Sequence, residues 1–255
     1  DMNFPTVDPA DPLRLTDEEE ELLHTLELSF RHNARLHEHV RFLYSNGSMY
    51  KCCNSNLLYH GCIPMTENRE FDGLMVGGKM YRGKELMDFI DTQVKNAYFL
   101  PEDAPEKEAC RDFMWYLWNG AKSPVFGKDK NRSFEHYFIE DPEVMRETMN
   151  PYYQLSEEEE TCDMILKEFG LPTKGSHIIN GHMPVKIKSG ETPIRAGGKL
   201  FIIDGGLSKA YQERTGIAGY TLIFNSHHLA LAEHKPFDPE RERTPKVYIV
   251  EKMQK

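Results

Sequence analysis

Two histidines in this chain stand directly after short apolar segments that predict core strands. His60 follows residues 57–59, and His182 follows residues 177–179 and an Asn180-Gly181 turn. Imidazole is a good ligand for zinc, iron or manganese, and ligands at strand ends make rigid sites. Two strand–histidine–loop units of the same layout therefore predict imidazoles that meet at one end of a sheet. The alternative for the second unit is a hairpin with a surface histidine, because Asn-Gly is the commonest hairpin turn pair.

Other polar residues carry weaker signals. Asp204 follows the apolar residues 200–203, where a carboxylate can orient a metal ligand and is equally suited to capping the turn. His32, His37 and His39 are spaced so that one helical face cannot hold all three, and we interpret them as solvated or structural.

Residues 121–132 form the most basic loop of the chain and include Lys122 and Lys128. Such a loop is typical of a phosphate site, and it is just as typical of an ordinary solvated surface. The residues alone do not decide between these two interpretations.

Composition limits the classes of function. The chain has 255 residues and a net charge of −10, which argues against broad nucleic-acid binding. No segment is long and apolar enough to predict a membrane span or a signal peptide. The five cysteines are irregularly spaced and do not predict a disulfide framework, so we expect a protein of the reducing cytoplasm.

The first regular element that the sequence predicts is a helix. Residues 1–15 are a Pro/Asp-rich lead that we expect to be extended, and the capping box Thr16 to Glu19 begins one helix that stops near Asn46. Its leucines, together with Phe30 and Val40, form one broad apolar face. Residues 69–82 then predict a hairpin with a Gly77-Gly78 tip.

Further helices are predicted at residues 84–99 and 105–119, and the aromatic residues of the second are expected to pack against the core. A second capping box at Ser156 begins a helix that Gly170 ends. Residues 83–170 are therefore predicted to be a mainly helical insertion within a domain that spans residues 16–255.

The rest of the chain predicts strands that look antiparallel. They lie at residues 178–179, 185–188, 200–203, 220–224, 229–233 and 246–250. Helices followed by a closing set of strands indicate an α/β domain with α+β character.

Several long motifs resemble the class III fructose-1,6-bisphosphatases, a bacterial family within the calcineurin-like metallophosphatases. The motifs are NSNLLYHGCIP at residues 54–64, WNGAKSPVFGK at 118–128, INGHMP at 179–184, IDGGLSKAY at 203–211 and TGIAGYTLI at 215–223. The resemblance covers essentially the whole chain. It implies a calcineurin-like layered sandwich and the gluconeogenic hydrolysis of fructose 1,6-bisphosphate to fructose 6-phosphate and phosphate by a dinuclear metal centre, with manganese as the expected metal.

By this resemblance, His60 and His182 would bind the same metal ion, and Asp204 would support them without binding it. Tyr211 and Tyr220 could meet a sugar ring, although burial is the default for both. Four cations would neutralise the phosphates of the substrate: Lys122, Lys128, Arg195 and Lys209.

The chain departs from the superfamily pattern in one respect. Its 255 residues contain no Asp-x-His, Gly-Asp-x-x-Asp-Arg or Gly-Asn-His segment. We therefore expect this chain to be the C-terminal part of an enzyme whose upstream part is a necessary partner. A homo-oligomer stays open, and so do two other functions: a related phosphatase for phosphoproteins or dinucleoside polyphosphates, and a non-catalytic interaction module.

Overall fold

The structure is a computed structural model that describes residues 4–234 and 247–252. Lys246, where the last predicted strand begins, lies outside the described residues. No helix within the described ranges has the length and apolar composition that crossing a bilayer requires.

The helices differ greatly in length, and most of them lie in the first 170 residues. They are Asp17–Arg31 (α1), Ala34–Asn46 (α2), Gly83–Phe99 (α3), Lys107–Asn119 (α4), Glu135–Phe138 (α5), Pro142–Met145 (α6), Tyr152–Leu155 (α7), Glu159–Glu168 (α8) and, later in the chain, Lys209–Thr215 (α9).

The strands are short and fall into separate sheets. They are Tyr50–Cys53 (β1), Asn56–Tyr59 (β2), Gly73–Val76 (β3), Lys79–Arg82 (β4), His177–Asn180 (β5), Ile194–Arg195 (β6), Leu200–Ile202 (β7), Gly219–Phe224 (β8), His228–His234 (β9) and Val247–Lys252 (β10).

The central sheet has the strand order β1-β2-β5-β7-β6. Strands β2, β5 and β7 are parallel, whereas β1 and β6 pair antiparallel at the two edges. The carboxyl ends of parallel strands meet at one edge of a sheet, so the segments after β2 and β5 come together. This arrangement confirms the mixed α/β class.

The expectation of antiparallel closing strands is wrong for β5 and β7. The helices α3–α8 supply the long crossover from β2 to β5 that a parallel pair requires. Antiparallel pairing holds for the separate sheet β10-β9-β8 and for the predicted hairpin β3–β4.

The main core lies against the central sheet. Its fully buried residues include Leu57 of β2, Ile178 of β5, Phe201 of β7 and Ile165 of α8. A smaller cluster joins Leu86 and Ile90 of α3 to the β3–β4 hairpin. Both clusters contain the apolar positions that the helical and strand periodicities predict.

The predicted long N-terminal helix is wrong in one respect, because it is two helices. Asn33 has an extended backbone, and its side chain accepts a hydrogen bond from the Leu36 amide at 3.0 Å, which begins α2. Asparagine is among the strongest N-cap residues, so it interrupts the periodic pattern. The capping box at Thr16 is confirmed. No residue of either helix is buried; the leucines of α1 are exposed, whereas Leu36 and Val40 of α2 are half-buried.

Two further local predictions are wrong. Ser156 keeps helical backbone angles as the C-cap of α7, so it cannot be the extended N-cap of α8, whose N-cap is Glu158. Residues 185–188 are not a strand: a 3₁₀ turn occupies Ile187–Ser189, and Gly190 ends it at φ 82°.

The aromatic residues of α4 divide into two groups. Phe113 and Tyr116 pack against the smaller core cluster, as expected. Trp115 and Trp118 are 63% and 44% exposed, and their rings contact each other with centroids 5.0 Å apart. The prediction of packing is therefore wrong for the two tryptophans.

Candidate metal centre

The two strand-end histidines lie in contact. His60 Nε2 is 3.1 Å from His182 Nδ1, and the ring centroids are 5.0 Å apart. Their loops are joined through the backbone, because the Gly181 amide donates to the His60 carbonyl at 3.0 Å. The parallel pairing of β2 with β5 thus brings together side chains 122 residues apart in sequence.

The ring of His182 has a fixed orientation. Its Nε2 lies 3.1 Å from the carbonyl oxygen of Phe126, which can only accept, so Nε2 carries the proton. In the neutral ring this leaves the lone pair of Nδ1 directed at His60. A backbone carbonyl on the far nitrogen is the usual way in which proteins orient a metal-binding imidazole.

The environment of His182 favours the neutral ring. Burial lowers the pKa of this imidazole, and the neighbouring His60 and Lys128 lower it further, although the hydrogen bond to Phe126 and the charge of Asp204 act in the opposite direction. A neutral imidazole is the form that binds a metal.

The separation of the two nitrogens suits a shared cation. Two nitrogens bound at adjacent positions, with metal–nitrogen bonds of about 2.1 Å and angles of about 90–110°, lie about 3.0–3.4 Å apart. The observed 3.1 Å falls in this interval, and it also suits a direct hydrogen bond between the rings. The described part of the chain contains no group of three or more His, Cys, Asp or Glu side chains arranged to hold a metal. The pair therefore fits part of a coordination shell.

The backbone at His182 is strained. Its φ is 64°, a left-handed conformation that is uncommon for any residue other than glycine. Such conformations cost of order 1–3 kcal/mol and cluster at functional sites, so this outlier marks the turn as a candidate site.

Both histidines open onto a cleft of about 760 Å³. Its polar and aromatic lining consists of His60, His182, Asp204, Ser208, Tyr211, Tyr220, Thr221 and His234. The first three were predicted from the sequence as site residues. We refer to this cavity below as the histidine cleft.

Asp204 lies at the edge of this cleft and caps its own turn. Its Oδ1 accepts from the Gly206 amide at 2.7 Å, as expected for an aspartate after a strand. The side chain is close enough to His182 to act on its pKa. Turn capping and proximity to the imidazoles are thus combined in one residue.

His234 was not singled out from the sequence, and it lines the same cleft as the two predicted histidines. Its Nε2 lies 2.6 Å from the Thr221 hydroxyl on the neighbouring strand. His234 directly follows the predicted strand at residues 229–233, so the strand-end position that marks His60 marks it as well. Only the pairing of β8 with β9 places it at the cleft.

The two lysines of the basic loop are already paired with carboxylates. Lys122 Nζ is 3.0 Å from Asp72 Oδ1, and Lys128 Nζ is 2.7 Å from Glu147 Oε2. Neither lysine is among the residues that line the histidine cleft.

The other two predicted phosphate-binding cations differ from each other. Arg195 pairs with Glu157 and Glu191 and lies beside a separate cavity of about 160 Å³. Lys209 is exposed, directly follows the cleft residue Ser208, and makes no ion pair within the described residues.

Of the two tyrosines, Tyr220 is buried as expected, whereas Tyr211 is 55% exposed and the burial expectation is wrong for it.

The chain matches the model of one known protein family. A family model described as "Firmicute fructose-1,6-bisphosphatase" matches residues 1–253. No solved structure matches the chain.

Curated relatives carry the same description. The chain is 53% identical to the "Fructose-1,6-bisphosphatase class 3" of Bacteroides fragilis over 237 residues, which is 93% of this chain and 36% of that protein. It is 49% identical to that of Finegoldia magna over 259 residues, covering 100% of this chain and 40% of the relative. The chain thus spans less than half the length of these relatives.

Proposed function

The chain belongs to the Firmicute fructose-1,6-bisphosphatase family, and from this premise we propose that it forms part of an enzyme that hydrolyses fructose 1,6-bisphosphate to fructose 6-phosphate and phosphate. The observation that carries the proposal is the contact between His60 and His182 in the lining of the histidine cleft. The names of the relatives favour this substrate over phosphoproteins and dinucleoside polyphosphates.

In this proposal His60 and His182 hold one divalent cation, with manganese as the expected metal. The cation of such a centre, when bound, supplies Lewis-acid stabilisation of the phosphoryl oxygens and a nucleophile from water. The chain's own residues keep the imidazoles in place: Phe126 fixes the tautomer of His182, and Asp204 holds the turn beside it. Two imidazoles are half of a shell or less, so we propose that the other ligands come from a further part of a longer protein, as the greater length of the relatives suggests. The calcineurin-like sandwich is part of the same proposal.

The substrate is proposed to occupy the histidine cleft. A sugar ring can pack on the exposed face of Tyr211, and the Thr221–His234 pair offers hydrogen-bonding groups to hydroxyls or phosphate. Lys209 is exposed and, among the described residues, is the one of the four proposed phosphate-binding cations without a carboxylate partner. Lys122, Lys128 and Arg195 would have to exchange a carboxylate partner for phosphate.

Two assignments accompany this function. We propose a cytoplasmic location, which the five unpaired cysteines support, since thiols persist in a reducing compartment. We also propose self-association, which the exposed apolar face of α1 supports.

The test is an assay of phosphate release with added Mn²⁺, using the protein that contains this chain and, in parallel, the chain alone. We expect the former to release fructose 6-phosphate and the chain alone to be inactive. His60→Ala and His182→Ala should each lower kcat about 100-fold or more, whereas His24→Ala, which changes an exposed histidine of α1, should leave it unchanged. Activity on phosphopeptides or capped dinucleotides but not on fructose 1,6-bisphosphate would contradict the proposal.

A further inference from the structure

One buried amide joins the two histidine-bearing turns. Asn180 is the last residue of β5 and is 4% exposed. Its Nδ2 donates to the Gly61 carbonyl at 2.9 Å, and so reaches across from the β5 turn to the turn that carries His60. Its own turn carries His182 two residues later. The side chain therefore links the backbones that set the positions of both imidazoles.

A tyrosine in the helical part of the chain also holds the Asn180 side-chain amide in place. Nδ2 donates its second hydrogen to the Tyr152 hydroxyl at 2.9 Å, and that hydroxyl lies 2.6 Å from the Tyr59 hydroxyl. Both tyrosines are buried, at 1% and 6% exposed. Burial raises the pKa of both phenols above its usual value, so they stay protonated and keep the network intact.

The orientation of the amide follows from its partners. Gly61 offers a carbonyl, which can only accept, so the nitrogen of Asn180 must face it. The Oδ1 atom is buried without a hydrogen-bond partner among the described residues. An unsatisfied buried oxygen costs about 1–3 kcal/mol, which offsets much of what the two donated bonds contribute to stability. The contribution of Asn180 to fold stability therefore does not by itself explain why an asparagine is buried here.

We propose that Asn180 is a positioning residue: through its bonds to Gly61 and Tyr152 it holds the two turns at the spacing that lets His60 and His182 share one cation. This inference deepens the proposed function and rests on it for the identity of the cation. A shift of either turn by a fraction of an ångström changes the nitrogen–nitrogen separation, which is what a shared metal requires.

The test compares two buried amides of the same sheet. Asn56 is 3% exposed and bonds to Asn54 and His177 at the opposite end of the strands, so Asn56→Ala is the matched control for loss of a buried asparagine. Tyr152→Phe is a milder variant that removes one partner of Asn180 and keeps the ring. The variants are made in the protein that contains this chain, and the readouts are the Mn²⁺ concentration for half-maximal hydrolysis of fructose 1,6-bisphosphate, the KM for that substrate, and the thermal midpoint.

We expect Asn180→Ala to raise the half-activating Mn²⁺ concentration about 10–100-fold with little change in KM, and Tyr152→Phe to raise it by a smaller factor in the same direction. Asn56→Ala should lower the thermal midpoint comparably and leave the Mn²⁺ requirement unchanged. Equal Mn²⁺ requirements in Asn180→Ala and Asn56→Ala would overturn the proposal. If Asn180→Ala does not fold, an unchanged Mn²⁺ requirement in Tyr152→Phe overturns it.

A second readout separates this inference from the proposed function. The imidazole ¹⁵N and ¹H resonances of His60 and His182 can be followed without any substrate. If the wild-type protein does not hydrolyse fructose 1,6-bisphosphate, the function fails. The positioning role then stands only if Asn180→Ala, and not Asn56→Ala, shifts these resonances and exposes the Nε2 proton of His182 to exchange. Unchanged resonances overturn it.

Discussion

The backbone at His182 has a φ of 64°, a conformation that costs a residue with a Cβ atom about 1–2 kcal/mol. The imidazole offsets part of this cost through its bond to Phe126. A glycine would adopt the same backbone freely. In this turn the left-handed conformation falls instead on His182, the proposed metal ligand.

This leads to a comparison of two variants that both lack the imidazole. His182→Gly should be more stable than His182→Ala by about 1 kcal/mol, because only alanine pays the left-handed penalty. Urea unfolding of the two proteins measures the difference. An alanine variant of equal or greater stability would show that the turn does not hold this conformation in solution.

At the residue scale, the sequence was informative where a single residue stands at a strand end. His60, His182 and Asp204 could be chosen for that reason, and all three line one cleft. The partners Phe126 and Tyr152 could not be chosen, because nothing in their local sequence marks a carbonyl or hydroxyl that a turn far along the chain will contact.

At the scale of elements, the site depends on how closely the loop after β2 approaches the loop of residues 121–132. The Cys62 amide donates to the Pro124 carbonyl at 2.8 Å, and a Cβ atom added at Gly61 would overlap that same carbonyl oxygen. At Gly181 an added Cβ would meet Asp204 Cβ at 3.6 Å and the His60 oxygen at 3.8 Å, which is ordinary contact.

Gly61→Ala should therefore lower the free energy of unfolding by about 1–3 kcal/mol, the usual cost of forced overpacking. Gly181→Ala, its matched control in the other histidine turn, should change it by about 0.5 kcal/mol or less. Chemical denaturation of both variants gives the comparison. Equal destabilisation would mean that the close approach at Gly61 does not exist.

Element types were predictable because the apolar periodicity is strong in β2, β5, α3 and α4. The direction of β5 was not, since the residues of a buried strand do not record whether its neighbour 121 residues away is parallel. The break between α1 and α2 was missed for a related reason: the apolar face continues across Asn33, and only its capping bond reveals the interruption.

At the scale of the whole molecule, the apolar face of α1 is exposed. Leu22, Leu23 and Phe30 are 59%, 52% and 64% exposed. Isolated exposed leucines are normal, but a contiguous patch of this kind marks an interaction site.

The chain alone should therefore self-associate as its concentration rises, and a Leu23→Glu/Phe30→Glu variant should do so less. Sedimentation velocity over a range of concentrations measures this. Leu13→Glu, which changes an exposed leucine outside α1, is the control and should behave as the wild type. Identical monomeric sedimentation of all three proteins would exclude α1 as the contact.

The relation between this chain and the longer relatives also bears on its chemistry at this scale. The residues described here bring two imidazoles to a cleft and contain no fuller set of metal ligands. The proposed function therefore requires that the two rings bind a single cation when the remaining ligands are supplied.

The most direct measurement is an anomalous-scattering map, recorded at the manganese absorption edge, from crystals of the protein that contains this chain grown with Mn²⁺. The account predicts a peak about 2.0–2.4 Å from both His60 Nε2 and His182 Nδ1. A manganese peak elsewhere, with the two rings hydrogen-bonded to each other or separated, would contradict it.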